Sequence, residues 1–351
     1  MHFRLNVFVA LTALNFMAVA VSPARSDEPK KPPSEAVPTP QQVRNAAERG
    51  LVFLEKDAVT WRENKTCSTC HHGTMTVWAL SEAKSQGYAV APETLAEMTK
   101  WTKERPFKDI EKLRDTRPGW NMVNTPALYL AVMAQVVPKQ DAVSADELKQ
   151  IADHLTRHQE AGGYWSWSLA PPANRFPPFF ESDEVVTLLA NSALRPHVPA
   201  DPKEKSTMRE SRDNAAAWLT KTPSTDTTQA AAIQLLVKVL AGESAKSLQP
   251  EGDSLMSRQK RDGGWAQLQD LASDAYATGQ VLYVLNLAGV KSNRAEVQRG
   301  LAFLVATQEE NGSWPMLLRA QPGEKRGTNR VPITYFGSAW ATLALMRTMP
   351  K

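Results

Sequence analysis

The chain's two cysteines stand three residues apart and a histidine follows at once, as Cys67-Ser68-Thr69-Cys70-His71. Two thiols at this spacing with an adjoining imidazole are what covalent haem attachment requires. The thiols add across the two vinyl groups, and His71 is carried under the iron as an axial ligand. The motif therefore predicts one haem c held by Cys67, Cys70 and His71. Three other readings of the same residues stay open. One is a local disulfide with a short, redox-labile ring. Another is zinc on both sulfurs with His71 or His72, although no second cysteine pair supplies the fourth ligand of a closed site. The last is a pair of free thiols. For haem, His72 is too near in sequence to reach the far face of the iron. A sixth ligand is then sought among Met75, Met98, Met122, His154 and His158. Met122, in Pro118-Gly119-Trp120-Asn121-Met122, is preferred; each methionine also suits plain core filling.

A second set of chemically capable residues is acidic: Glu181, Asp183, Glu184, Asp226 and Asp274. Each stands at or just before the start of a segment expected to be a buried helix. Capping a positive helix end accounts for Asp183, Asp226 and Asp274 without any further role. The functional alternative is a carboxylate-lined pocket, with Asp226 and Asp274 as candidate acids. Tyr164, Trp165 and Trp167 with Phe176, Phe179 and Phe180 offer a stacking platform for a flat or sugar ligand, or an apolar loop packed over a rim.

The elements that must position these groups are helical. From Gln41 onward strand alternation is rare and 3.6-residue periodicity is common, in two kinds of segment that take turns. The first is amphipathic: residues 293–307 put Val297, Leu301, Leu304 and Val305 on one face, with Asn293 and Glu296 spaced as a capping box, and Ser144 with Glu147 repeats that box. The second is apolar or small nearly all round, as in residues 275–285, and belongs inside. Outer and inner segments pair at 41–58 and 74–86, 92–104 and 124–136, 144–160 and 182–194, 205–221 and 226–241, 249–260 and 274–289, and 293–309 and 334–348. Six such pairs predict two concentric rings of helices, an all-α (α/α)6 toroid, because inner helices need covering outside and outer ones need a single apolar face.

Before that domain, residues 1–21 read as a secretory signal: Arg4 precedes an apolar run from Leu5 to Val21 with a small-x-small site at Ala18-Val19-Ala20. Uncleaved, the run would be a short membrane anchor. Residues 22–40 carry six prolines among charges and form an extended tether. The toroid is expected over 41–351, with the cysteine loop at 67–71. The chain is therefore expected to be exported, periplasmic or otherwise outside a bacterial cytoplasm, with no membrane span once the signal is cleaved. Composition excludes several classes. With 42% hydrophobic and 22% charged residues, the 351-residue chain is neither disordered nor a disulfide scaffold. A net charge of +4 without a basic stripe gives no reason to expect nucleic acid.

Residues 299–308 followed by Gly312-Ser313-Trp314 resemble a full QW repeat of the squalene-hopene cyclase and protein prenyltransferase superfamily. Gln259 with Gly263-Gly264-Trp265 resembles a second, and Leu155, Gln159, Gly162, Gly163 and Trp165 a degenerate third. Residues 49–54 repeat the opening of 299–304 almost letter for letter. The resemblance implies an α/α toroid and assigns the glutamines and tryptophans to structure. In hopene cyclases an Asp-x-Asp-Asp acid protonates an alkene; the matching stretch here, 224–228, keeps one aspartate, Asp226. The prenyltransferase zinc set needs a cysteine in the C-terminal half, where this chain has none. Polysaccharide lyases and glycosidases share the same ring of helices.

The functional expectation is an exported toroid with one covalent haem c, a redox role and a redox protein partner. The alternatives are a terpenoid- or glycan-directed enzyme with a small hydrophobic or sugar ligand in the bowl, and a non-catalytic scaffold with a Cys67–Cys70 disulfide.

Overall fold

The computed structural model describes residues 37–64, 69–109, 120–137, 139–166, 181–316, 319 and 331–349. All belong to one compact unit, Pro32–Lys351. The leader and most of the tether lie outside the described residues.

Among the described residues are twelve α-helices: α1 Pro40–Asn64, α2 Thr74–Ser85, α3 Pro92–Asp109, α4 Trp120–Val136, α5 Ala145–Arg157, α6 Asp183–Leu194, α7 Thr207–Lys221, α8 Thr228–Leu240, α9 Ala245–Ser257, α10 Ala275–Leu287, α11 Ala295–Thr307 and α12 Val331–Thr348. A π-turn, Thr69–Gly73, leads into α2. The even-numbered helices pack each on the next, α2 on α4, α4 on α6, and so on until α12 meets α2 again. The odd-numbered helices cover this closed inner ring, and α1 seats against α12 and α11. Burial follows the sequence pattern. From Ala275 to Leu285 every residue of α10 is buried, whereas α5 buries only Ile151, Ala152, His154 and Leu155.

Three turns with a common design tie outer helix to inner helix. Gly163, Gly263 and Gly312 all have φ near +90°, and a Cβ there would lie 2.2–2.7 Å from a backbone carbonyl of the next outer helix, so only glycine fits. The buried tryptophan two residues on donates its indole N–H to the preceding outer helix: Trp165 to Leu155 at 2.9 Å, Trp265 to Leu255 and Trp314 to Leu304 at 2.8 Å. Its own backbone N–H donates to a hydroxyl on the inner helix, Thr187, Thr278 or Ser338. The glutamine amide bridges its own turn to the next outer helix. Gln159 donates to Gly163 and Ser211, Gln259 to Gly263 and Glu296, and Gln308 to Gly312 and Ala46. The last of these closes the ring. Arg49 and Arg299 in turn donate to the glutamine carbonyl oxygens of Gln308 and Gln259, which explains why residues 49–54 repeat 299–304.

Two local expectations resolve differently. Ser144 and Glu147 form the complete capping box. Asn293 and Glu296 do not: α11 starts two residues later, at Ala295 after Arg294, and the Glu296 carboxylate accepts from Arg294 instead.

Candidate functional site

Outer and inner helices alternate in direction, so the N-termini of all inner helices share one rim. The first feature of that rim is a histidine pair in the π-turn, which packs against α1, α3, α4 and α12. His71 and His72 are both buried. The His72 ring lies between two aromatic faces, Trp61 at 4.4 Å and 9° and Tyr335 at 3.8 Å and 28°. Its Nε2 is 2.8 Å from Asp57 Oδ2 on α1, and its Nδ1 meets Nδ1 of His71. Burial depresses the pKa of both rings: for His71 the His72 charge adds to it, and for His72 the Asp57 carboxylate opposes it. His71 reaches Phe336 edge-on at 6.2 Å.

Phe336 begins a floor of buried rings, with Tyr129 at 6.0 Å and Tyr276 at 6.4 Å. Across that floor stands the acidic part of the rim. Gln229 donates to the Tyr276 hydroxyl and accepts from the Glu181 backbone N–H at 3.0 Å. Glu181 takes the Thr227 hydroxyl on one carboxylate oxygen and the Arg319 guanidinium on the other, at 2.7 Å. Both members of this ion pair are nearly inaccessible, with side chains 6% and 11% exposed.

Asp274 caps α10. One carboxylate oxygen accepts from the Ala277 N–H at 2.8 Å and the other from Gln267 at 2.9 Å. Its backbone forms a bridge with Trp265, so the glycine–tryptophan turn of the fifth repeat fixes the acid directly. Helices α6 and α8 are capped at the same rim by hydroxyls, Ser182 and Thr227. The carboxylate of Asp274 is different in kind: burial pushes its pKa up to about 6 against the pull of these donors and of Arg319. Burial also raises Tyr129 and Tyr276 far above the usual tyrosine range.

The other candidate acid does not join this group. Asp226 is 71% exposed and pairs with Arg258 at 3.0 Å, and the cap it was expected to provide comes from Thr227. Asp226 thus stands apart from the group around Asp274, on the exposed side of the α8 start. Asp183 stays near the Ser166 hydroxyl. Glu184 anchors the strap before α8 through Ser224, Thr225 and Gln234. The stacking platform is likewise corrected for Tyr164 and Trp165. Trp165 is buried beneath its turn, and Tyr164 stacks on Trp218 of outer helix α7. Trp167, Phe176, Phe179 and Phe180 lie outside the described residues.

Cys67 lies outside them too, and Cys70 is placed by its backbone alone in the π-turn. Met75 and Met98 are fully buried in the packed core. His154 and His158 pack against one another at the end of α5, their rings tilted by 35° with centroids 4.3 Å apart. For Met122 the structure describes only its place in the first turn of α4. Among the described residues no three histidine, cysteine or acidic side chains gather as they would around a metal ion. No described helix is long and apolar enough to cross a membrane. A cavity of about 560 Å³ between α2, α3 and the α4–α5 link, lined by Lys84, Tyr88, Leu95 and Lys103, is at the opposite end of the ring from these groups.

The donor set suits a haem in one respect the structure can test. A carboxylate only accepts, so the proton between Asp57 and His72 sits on His72 Nε2. Neutral His72 then accepts at Nδ1, which puts the shared proton on His71 Nδ1 and the lone pair of His71 on Nε2, the atom that would face iron.

Comparison with known proteins bears on the acid end of the rim. Residues 210–350 match the squalene-hopene cyclase C-terminal domain. The squalene–hopene cyclase of Bradyrhizobium diazoefficiens is 28% identical over 127 residues, 35% of this chain, and the chain spans about a fifth of that relative's length (19%). Among solved structures, the type II terpene cyclase MstE from Scytonema, with bound geranylgeranyl dihydroxybenzoate, superposes with a TM-score of 0.54 at 16% identity, covering 89% of this chain and 98% of its own. The unsaturated glucuronyl hydrolase of Streptococcus agalactiae gives 0.55 at 11% identity, covering 90% and 93%. The fold is a terpene-cyclase-like α/α toroid. The C-terminal match spans Asp274, Tyr276, Arg319 and Phe336.

Sequence reasoning reached Asp274, Glu181 and His71 through their positions at helix starts and beside cysteine. It missed Arg319, which sits in a polar stretch with no periodicity, and Asp57, which lies 15 residues before its partner on an outer helix. Tyr129 and Tyr276 are indistinguishable by type from core tyrosines. The chain placement of Tyr276, two residues after a helix-capping acid, was the one available signal.

Proposed function

We propose that this protein is an enzyme acting on a terpenoid substrate by general-acid chemistry, with Asp274 as the proton donor. The observation that carries this reading is a carboxyl held protonated to about pH 6 at the edge of a floor formed by Tyr129, Tyr276 and Phe336. A neutral acid near working pH can hand its proton to an alkene or enol ether. The carboxylate left behind is already met by the Ala277 N–H, Gln267 and, further off, Arg319. Positive charge developing on the substrate is favoured by the ring faces of the floor. The Glu181–Arg319 pair and Gln229 hold Tyr276 in place. A terpenoid is preferred over a glycan because the sequence likeness to the squalene-hopene cyclase C-terminal domain covers the acid and two of the three floor rings, Tyr276 and Phe336.

The test is turnover by the purified full chain of a polyprenyl substrate such as squalene, beside an unsaturated uronyl disaccharide. Conversion of the polyprenyl compound, reduced about 10²–10⁴-fold in Asp274→Asn, supports the reading. Conversion of the uronide alone transfers the acid to a glycan substrate, and conversion of neither overturns it.

A second reading concerns the other side of the rim: one covalent haem c on Cys67 and Cys70, with His71 as axial ligand and a redox partner outside the cytoplasm. The tautomer imposed on His71 by Asp57 and His72 supports it, and the signal-like run expected over residues 1–21 is in keeping with it. When bound, haem would supply one-electron chemistry.

A further inference from the structure

We propose that Asp57 and His72 are positioning residues for the axial ligand, a carboxylate–imidazole relay that fixes the tautomer of His71 and strengthens it as a donor; this rests on the haem reading of the Cys67–His71 motif. The relay is built from three elements. Asp57 comes from the last turns of α1, His72 and His71 from the π-turn, and Tyr335 from α12. His72 is held on every side: Trp61 and Tyr335 clamp its ring, its Nε2–H donates to Asp57, and its carbonyl accepts from the Thr76 hydroxyl. Tyr335 is itself fixed by donating to the Leu54 carbonyl at 3.0 Å. A second histidine in this position has no slack in which to serve as a ligand itself. Its one remaining ring nitrogen is turned onto Nδ1 of His71.

The consequence for an iron ligand follows from hydrogen-bond chemistry. A metal-bound imidazole whose other N–H donates to an anion, here through an intervening neutral imidazole, becomes a stronger donor and favours the oxidised metal. The Asp57 carboxylate therefore lowers the reduction potential of iron bound at His71, and His72 conveys the effect. Asp57 is about a third exposed at its side chain, so its replacement does not open a core cavity.

The experiment uses the full chain produced in a periplasm with haem-attachment machinery, as wild type, Asp57→Asn, Asp57→Glu, His72→Phe and the Asp57→Asn/His72→Phe double variant. Haem that stays with the denatured polypeptide, a reduction potential that rises in Asp57→Asn and in His72→Phe, no further rise in the double variant, and recovery in Asp57→Glu are the expected results. Nitrogen-15 NMR of histidine-labelled chain carrying Cys67→Ala and Cys70→Ala reads the tautomer without haem, and should show His71 protonated at Nδ1. A haem-bearing wild type whose potential is unmoved by Asp57→Asn, or a His71 protonated at Nε2, overturns the relay alone. A wild type without covalent haem overturns the haem reading and the relay with it. If His72→Phe fails to fold, the Asp57 variants and the NMR measurement still decide.

Discussion

The two ends of the helical ring treat buried charge in opposite ways. At the C-terminal ends of the inner helices, Glu82 is wholly buried yet fully engaged. Arg347 donates to it at 2.7 Å, Tyr283 at 2.9 Å and Gln86 at 2.7 Å, while Trp78 donates to Tyr283 and Arg347 lies over the Tyr283 ring. This network joins α2, α10 and α12. At the N-terminal rim, Asp274 has three neutral donors, the Ala277 and Tyr276 backbone N–H groups and Gln267, and only a more distant guanidinium, too little to offset its burial, so it keeps its proton to about pH 6. The two acids differ in their partners: Glu82 meets a guanidinium in direct contact, whereas Asp274 meets neutral donors with its guanidinium further off.

The largest effect should come from breaking the braced end. Arg347→Met leaves Glu82 buried and unpaired and is expected to cost about 3–5 kcal/mol in denaturant unfolding. At the rim the sign of the pH dependence is the test. The folded pKa of Asp274 is raised above its unfolded value, so the unfolded chain releases that proton first as pH rises from about 4 to 6. Stability is therefore lost over that window, by at most about 3 kcal/mol, and Asp274→Asn should remove this part of the slope in unfolding measured at pH 4, 5, 6 and 7. Gly312→Ala places a methyl against the Arg49 carbonyl at a positive φ, and should lower stability by about 1–3 kcal/mol where the ring closes, read as a fall in Tm. Asp226→Asn should change stability by less than about 1 kcal/mol, since it loses only an exposed pair, and should leave turnover intact. A large loss of activity there would return Asp226 to the site.

Much of the ring was legible in the sequence because its signals are local. Helix periodicity, the alternation of amphipathic and all-apolar segments, and the glycine–tryptophan spacing each reflect contacts within a repeat, and all six helix pairs lie where those signals put them. The C-terminal family match at residues 210–350 also falls where the repeats are clearest. What the pattern did not carry is long-range. Arg319 meets Glu181 from 138 residues away, and Arg347 meets Glu82 from 265. A charge on an otherwise apolar inner helix, such as Glu82 or Arg347, was a readable hint that a partner exists, though not which one. Capping chemistry sorted poorly for a related reason. Aspartate and hydroxyl caps look alike in sequence: Asp274 caps its helix and is drawn into the rim, whereas Asp226 leaves the cap to Thr227 and faces water.

Whether Asp274 holds its proton is read most directly from the pH titration of its side-chain carboxyl carbon by NMR, identified as the resonance missing from Asp274→Asn. A midpoint near pH 6 is the predicted result. A midpoint near 4, the ordinary value for an aspartate, would contradict the claim that the rim keeps an acid ready to donate.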